Sequence, residues 1–410
     1  MRIKRIIFTS ICIILLTNSA SLLASDTRII KNIEDLKMNE ENVEQKSDLI
    51  PTVKNPFTPK DEGDHFPCRC EWWTFHVALD FEDGTRKDVL IQFQYGTKNE
   101  SIINSFILLL YFFDRDTGKM DDYTMKEYKS ITGKDILFYC KKNIIDLKYK
   151  NCTMKGLYPN YHIHVEDEER KVILDLNINA TSLPHWIAQD GSNGYFPWGD
   201  GWARYGFILR LNASGKIDFE GKKSTVTGIG YHEHVWGNFS YIINNKNPRS
   251  KIKEFISNLK KTLPFMKWIL FEQSMKLPKV LTSTTDNHNG YDWGWATFDN
   301  GWSLHFGIFY IMNQIVEGPV LGELSLTADG KKFLDFGDID IKCGNWLYIE
   351  EADVYLPLDI ELTAIKGNKK LYLAFKTTSE SYISLSIFPV TKNSCGQGGI
   401  SFSWSCRWVL

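Results

Sequence analysis

Three short stretches of this chain bring tryptophan together with groups that can give or take a proton. Glu71-Trp72-Trp73 with His76 is the first, Tyr231-His232-Glu233-His234-Val235-Trp236-Gly237 the second, and Tyr291-Asp292-Trp293-Gly294-Trp295 the third. Carboxyl and imidazole side chains supply general acids and bases, and indole faces attract cationic centres. Along a strand successive side chains alternate between two faces, so His232, His234 and Trp236 are expected to point one way and Glu233 and Val235 the other. If Asp292 projects into the same space, the set offers an acid, a base and an aromatic wall.

What must position these groups is a succession of short β-rich runs separated by turn residues. Leu79–Phe81 meets Asp83-Gly84 and returns as Val89–Tyr95, and Phe106–Phe113 ends at Asp116-Thr117-Gly118. Lys171–Ile178, Tyr205–Leu211 with a turn at Ser214-Gly215, and Thr225–Trp236 follow. The same grammar resumes after residue 285 with Trp293–Phe298, the turn Asn300-Gly301, Ser303–Tyr310 and further runs as far as Ile387. Short turns suit antiparallel pairing, and the long crossovers that parallel strands require are mostly missing. The spacing therefore predicts an all-β fold of two consecutive antiparallel barrels or sandwiches.

One segment breaks the pattern. Pro248–Met275 places Ile252, Phe255, Ile256, Leu259 and Leu263 at helical spacing with lysines on the other face, and Pro264 is expected to kink it. It reads as an amphipathic helical insertion packed between the two β halves, or as a lid or a surface helix in peripheral contact with a membrane. The resulting division is a signal peptide over 1–25, a disordered leader over 26–63, an N-terminal β domain over 64–244, the helical insertion over 245–284 and a C-terminal β domain over 285–410.

Composition narrows the function. With 48 basic against 50 acidic residues the formal net charge is -2, and no basic stripe is present, so nucleic acid is excluded as a partner. The 13 tryptophans need a large core or a ligand pocket to hold them. Arg2, Lys4 and Arg5, the apolar run Ile6–Leu16 and the small residues of Asn18–Ser25 have the layout of a cleaved signal. The run is shorter than the roughly 20 residues that span a bilayer. Export agrees with five Asn-x-Ser/Thr sequons, at Asn99, Asn151, Asn179, Asn212 and Asn238.

Outside the signal stand Cys68, Cys70, Cys140, Cys152, Cys343, Cys395 and Cys406, which an oxidising compartment tends to pair. Spacing suits a Cys140–Cys152 bridge and a Cys395–Cys406 bridge, without fixing the connectivity. Metal is the competing reading of the histidines: His232-x-His234 and His162-x-His164 each offer two ligands on one strand face. Catalytic zinc takes three protein ligands, and no third is evident in the sequence.

Glu71-Trp72-Trp73, Gly230-Tyr231-His232-Glu233-His234-Val235-Trp236-Gly237 and Asp292-Trp293-Gly294-Trp295 resemble the markers of the AttH-like and carotenoid 1,2-hydratase (hydroxyneurosporene synthase) family. The resemblance covers about residues 65–410. It departs at His232-Glu233-His234, where relatives more often carry an Asp-His pair, and at the helix 248–275, which looks like an insertion.

The resemblance implies two lipocalin-like β domains and chemistry on isoprenoid or polyene molecules: hydration, cyclisation or ring closure. Protonating an isolated alkene takes an acid kept neutral by burial in a dry pocket. Asp292 is the expected donor, Trp236, Trp293 or Trp295 would stabilise the cation, and His234 would orient or deprotonate the attacking water. Trp72, Trp73, Tyr231 and His232 join Trp293 and Trp295 as the expected substrate lining. Glu71 reads as an anchor of the first strand. This chemistry needs no metal, nucleotide or organic cofactor, and no phosphate-binding glycine loop is visible. Two other functions fit the same residues: a carrier that binds a lipid, pigment or quinone without turnover, and a surface protein whose barrels are filled by side chains.

Overall fold

A computed structural model describes residues 56–407 apart from 99–101, 118–119, 131–137, 199–200, 240–247, 275, 277–288, 299, 312–317, 350–353, 378–382, 387–397 and 402–403. The described residues belong to one compact unit, Ser47–Leu410. The expected signal and most of the expected leader lie outside them.

The N-terminal half is one antiparallel sheet. In chain order its strands are β1 (Cys70–Phe81), β2 (Arg86–Lys98), β3 (Ile102–Asp114), β4 (Met125–Ser130), β5 (Phe138–Tyr139), β6 (Ile145–Tyr149), β7 (Cys152–Leu157), β8 (Asn160–Asp167), β9 (Val172–Ala180), β10 (His185–Trp186), β11 (Tyr195–Trp198), β12 (Gly201–Phe219) and β13 (Lys222–Asn238). Neighbours run β4-β3-β2-β1-β13-β12-β9-β8-β7-β6-β5, with β10 and β11 also paired to β12. Phe93 and Phe106 from one side of this order share a core with Tyr149, Ile163 and Leu176 from the other. The sheet must therefore curl on itself, and side chains fill its interior.

Local chemistry fixes the longest hairpin. Glu220 and Gly221 link Phe219 to its partner Lys222 with φ of 53° and 88°, the two-residue connection whose twist matches paired strands. The turn expected at Ser214-Gly215 is not there, because β12 runs straight through it. A Cβ on Gly215 would lie 2.0 Å from the Asp175 carbonyl oxygen, so this glycine allows close strand approach.

Residues 56–63, assigned by composition to the leader, are packed. Phe57 is buried against the Trp186 ring (centroids 4.4 Å apart), and Glu62 is buried in a short 3-10 turn, Pro59–Glu62. An anchoring aromatic, and the backbone N–H and hydroxyl that Thr58 donates to the Asp61 carboxylate, hold this polar stretch.

Between the halves, α1 (Gln189–Ser192) is a single turn and α2 (Pro248–Glu272) a long helix that continues through Pro264. Lys260 and Pro264 are both exposed, so the turn whose hydrogen bond the proline removes lies on the outer side of the helix. Phe265 and Ile269, one turn apart, are buried against Phe196 and its neighbours.

The C-terminal half packs two sheets. One contains β14 (Asn289–Thr297), β15 (Ser303–Ile311), β17 (Leu321–Thr327) and β18 (Phe333–Phe336). The other contains β16 (Gly318–Pro319), β19 (Asp338–Ile349), β20 (Val354–Lys366), β21 (Lys369–Thr377) and β24 (Trp404–Arg407), while β22 (Ile383–Ser386) pairs with β23 (Gly398–Ser401). Leu304, Phe306, Ile339 and Leu362 are among the side chains that meet between the two main sheets.

Cys140 and Cys152 are free thiols. Cys152 pairs across its hairpin with Tyr149 and donates to the Glu166 carbonyl oxygen, so the bridge expected from spacing is not formed. Cys395 and the Cys406 side chain lie outside the described residues. Of the sequons, Asn151, Asn179 and Asn212 are exposed, whereas Asn238 is half-buried and accepts the Arg69 backbone N–H at 3.1 Å.

Candidate functional site

β1 pairs with β13 along its whole length, and β13 with β12, so these strands form the wall between the filled barrel and the C-terminal half. Because side chains alternate, the wall carries a separate polar cluster on each face.

The barrel face holds Glu71, buried and surrounded by donors. His65 gives its backbone N–H at 3.0 Å and its Nδ1 lies 3.0 Å away, His234 Nε2 lies at 2.8 Å, and Tyr95 donates its hydroxyl. Burial alone would raise the carboxyl, but the bonds from His234 and His65 outweigh it and push Glu71 down to about 2. The Nδ1 of His234 can only donate to the Asp61 carbonyl oxygen, 2.9 Å away. Its Nε2 and the Glu71 oxygen therefore hold a proton between them. Trp73 stacks on His234, and His65 stacks on Trp236 with centroids 3.6 Å apart.

The cluster also brings together three metal-ligating side chains that the sequence keeps apart. His65, Glu71 and His234 offer ligand atoms within 4.8 Å of one another, a set able to hold a divalent cation. His232 is no part of it. Its Nδ1 bonds the Thr74 carbonyl oxygen at 2.9 Å, its Nε2 meets no partner among the described residues, and burial pushes it down to about 3.

The opposite face is built around Glu233. Trp72 Nε1 donates to one carboxylate oxygen at 2.9 Å, while the hydroxyls of Tyr205 and, at 3.1 Å, Tyr231 donate to the other. Tyr205 also lies 2.6 Å from the Tyr231 hydroxyl and 3.2 Å from His305 Nε2, and His305 Nδ1 is 2.8 Å from Glu323. Burial first and the Glu233 charge second hold both phenols well above the ordinary tyrosine range, so both keep their protons. Glu233 and Tyr205 line a narrow crevice with Trp72, Ile187, Trp198, Trp293 and the Gly307 backbone, with room for about one water molecule. The arrangement is a carboxyl group and a phenol presented to an aromatic-walled space, suited to moving a proton to a molecule in contact with indole faces.

No family model and no curated protein sequence matches the chain. Solved structures do. A candidate AttH from Nitrosomonas europaea aligns with a TM-score of 0.57 at 17% identity, over 87% of this chain and 94% of that one. Kievitone hydratase from Nectria haematococca aligns with a TM-score of 0.52 at 11% identity, over 87% of this chain and 90% of that one. The chain has the AttH-type, lipocalin-like fold.

Within this AttH-type fold, the residues expected to share one cavity are parted by the wall. Trp73, His232, His234 and Trp236 lie on the barrel face, in keeping with their alternation, and Glu71 joins them. Trp72, Tyr231, Trp293 and Trp295 meet on the other face, where both C-terminal indoles stack on Tyr231 and Trp295 Nε1 donates to His76. The single constellation is corrected to two because both faces of β13 are covered. Asp292 stands opposite Ile308 in β14, and its side chain lies outside the described residues. Sequence reasoning passed over Glu233 as a site residue, and Tyr205, His305 and Glu323 altogether. Glu233 had a signal, its place between Tyr231 and Trp236 and flanked by two histidines; the others come from strands that carry no motif.

Proposed function

We propose that this protein is an exported hydratase-type enzyme that protonates an alkene of an apolar, isoprenoid-like molecule, followed by addition of water or cyclisation. The observation that carries the reading is Glu233, buried beside Tyr205 and facing the crevice walled by Trp72, Trp198 and Trp293. Once it has taken a proton from the neighbouring Tyr205 hydroxyl, Glu233 would deliver that proton to the alkene, and the indole faces would stabilise the cation. The hydratase among the structural relatives supports the reaction class, and the basic, apolar and small-residue leader supports export. His234 and Trp236 act in this reading from behind, holding β13 through Glu71 and His65. The crevice admits a substrate only when its walls separate. Helix α2 supports a peripheral membrane contact: Phe271 is 80% exposed on the same outer face as Lys260 and Lys267.

The test is Glu233→Gln, assayed by mass spectrometry on a panel of apolar polyenes for products with one added water or a rearranged skeleton. The expected result is loss of turnover by at least about a hundredfold with far-UV circular dichroism unchanged. Asp292→Asn made beside it separates the acid read from the sequence from the acid read from the structure. Normal turnover in Glu233→Gln overturns the assignment, and ligand retained by the wild type without any product makes the protein a carrier.

A further inference from the structure

The bonds around Glu233 do not end at His305. Glu323, which holds His305 by one oxygen, has its other oxygen 2.8 Å from the Ser325 hydroxyl. That hydroxyl is also 2.9 Å from Asp335, whose same oxygen lies 2.8 Å from His185 Nε2. The second Asp335 oxygen accepts the backbone N–H of Asp190, an exposed residue at the edge of the junction between the halves. A continuous line of proton-bearing side chains thus leads from the crevice, across β12, β15, β17 and β18, to the buried pair Asp335 and His185 beside exposed Asp190.

Two features suit this line to carry a proton. Each intermediate hydroxyl has one proton and more than one acceptor: Tyr205 faces Glu233 and His305, and Ser325 faces two carboxylates. A hydroxyl of this kind receives a proton on its lone pair as it gives up its own. The two carboxylates that share Ser325 are also pushed apart. Burial raises Glu323, whereas Asp335, equally buried, is held down by the His185 imidazole. An apolar core would stabilise the interface as well without the desolvation cost of so many ionisable groups.

We propose that this line is a proton wire, running from the buried pair His185 and Asp335, next to the exposed Asp190, through Ser325, Glu323, His305 and Tyr205 to Glu233, and that it refills Glu233 after each turnover. The proposal rests on the reading of Glu233 as the acid. The protons balance. Glu233 gives one proton to the alkene carbon as the π bond breaks, water adds to the cation and releases one proton to solvent, and one proton returns along the wire. In this scheme His305 and Ser325 are positioning residues that act through Tyr205.

The experiment needs no substrate. Ring 15N and 1H signals of His305 and His185 are recorded in the full-length protein at fixed pH for wild type and Glu233→Gln, each with and without Ser325→Ala. Glu233→Gln is expected to shift the ring signals of both histidines. With Ser325→Ala the shift survives at His305 and is lost at His185, and Ser325→Thr, which restores a hydroxyl, restores it. Unchanged His185 signals in Glu233→Gln, or an equal His185 shift with Ser325→Ala, would overturn the wire. Failure of the hydratase reading is distinct, since it shows as retained turnover in Glu233→Gln whatever the histidine signals do. Urea melts of each variant confirm that the fold persists, and Tyr205→Phe gives a second break in the line should Ser325→Ala unfold.

Discussion

Glu62 is fully buried, with the Tyr161 hydroxyl and the Tyr158 backbone N–H as its donors, and burial outweighs both to raise it from 4.5 to about 7. The folded chain therefore keeps a proton that the unfolded chain releases near 4.5, so stability falls as pH rises from about 4.5 to about 7 and is level beyond. At about 1.36 kcal/mol per unit this costs on the order of 3 kcal/mol at pH 8. Glu71 has the opposite sign: lowered to about 2, it contributes stability above 4.5 that is lost as pH falls toward 2. Glu62→Gln is expected to abolish the decline between pH 5 and pH 8, as read by urea melts at both. An unchanged decline would refute the assignment. Neither carboxyl could be ranked from sequence, because burial at Glu62 depends on Tyr161, 99 residues away. Alternation did give the facing of His232, His234 and Trp236 correctly. What waits on the far side of Glu233 could not be read, since a lone histidine such as His305 in an apolar strand looks like any core histidine.

Helix α2 shows how far periodicity reaches at the level of elements. The apolar spacing around Ile252–Leu263 foretells the helix, yet the described anchors, Phe265 and Ile269, lie beyond Pro264, where the expected kink draws attention away. Gly215 failed as a turn signal for a related reason: glycine marks both turns and close approaches, and only the Asp175 backbone beside it decides which. The two faces of α2 are expected to respond differently to truncation. Phe265→Ala removes a ring that is 0% exposed and should cost about 3–5 kcal/mol in urea unfolding. Phe271→Ala removes one that is 80% exposed and should stay within about 0.5 kcal/mol of wild type while weakening sedimentation with anionic lipid vesicles. Equal losses of stability from the two variants would mean that the helix does not pack in this orientation.

Two consecutive β units with a helix between them were legible in the turns and runs of the sequence, but their mutual dependence was not. Tryptophans read as the lining of a pocket are also members of a third core, in which Trp72, Tyr231 and Phe207 from the first half meet Trp293, Trp295 and Phe333 from the second and Phe265 from the helix. His305 reinforces the joint, stacked on Phe207 with centroids 4.7 Å apart while its Nε2 bonds across it to Tyr205 and its Nδ1 is held by Glu323 on its own side. A half parted from its neighbour would expose this apolar surface and break the bonds that cross it, Tyr205 to His305, His185 to Asp335 and Trp295 to His76, each a cost of the kind that makes unfolding cooperative. The halves should accordingly unfold as one. Hydrogen exchange in urea, followed by mass spectrometry, is expected to give peptides of β8–β9 and of β20–β21 the same slowest opening free energy. Phe207→Ala, which removes a buried ring at the joint, should lower both by about 3–5 kcal/mol together. If the C-terminal peptides instead open at lower urea while β8–β9 keep their protection, the shared core does not couple the halves, and a wire across it would join parts that separate freely.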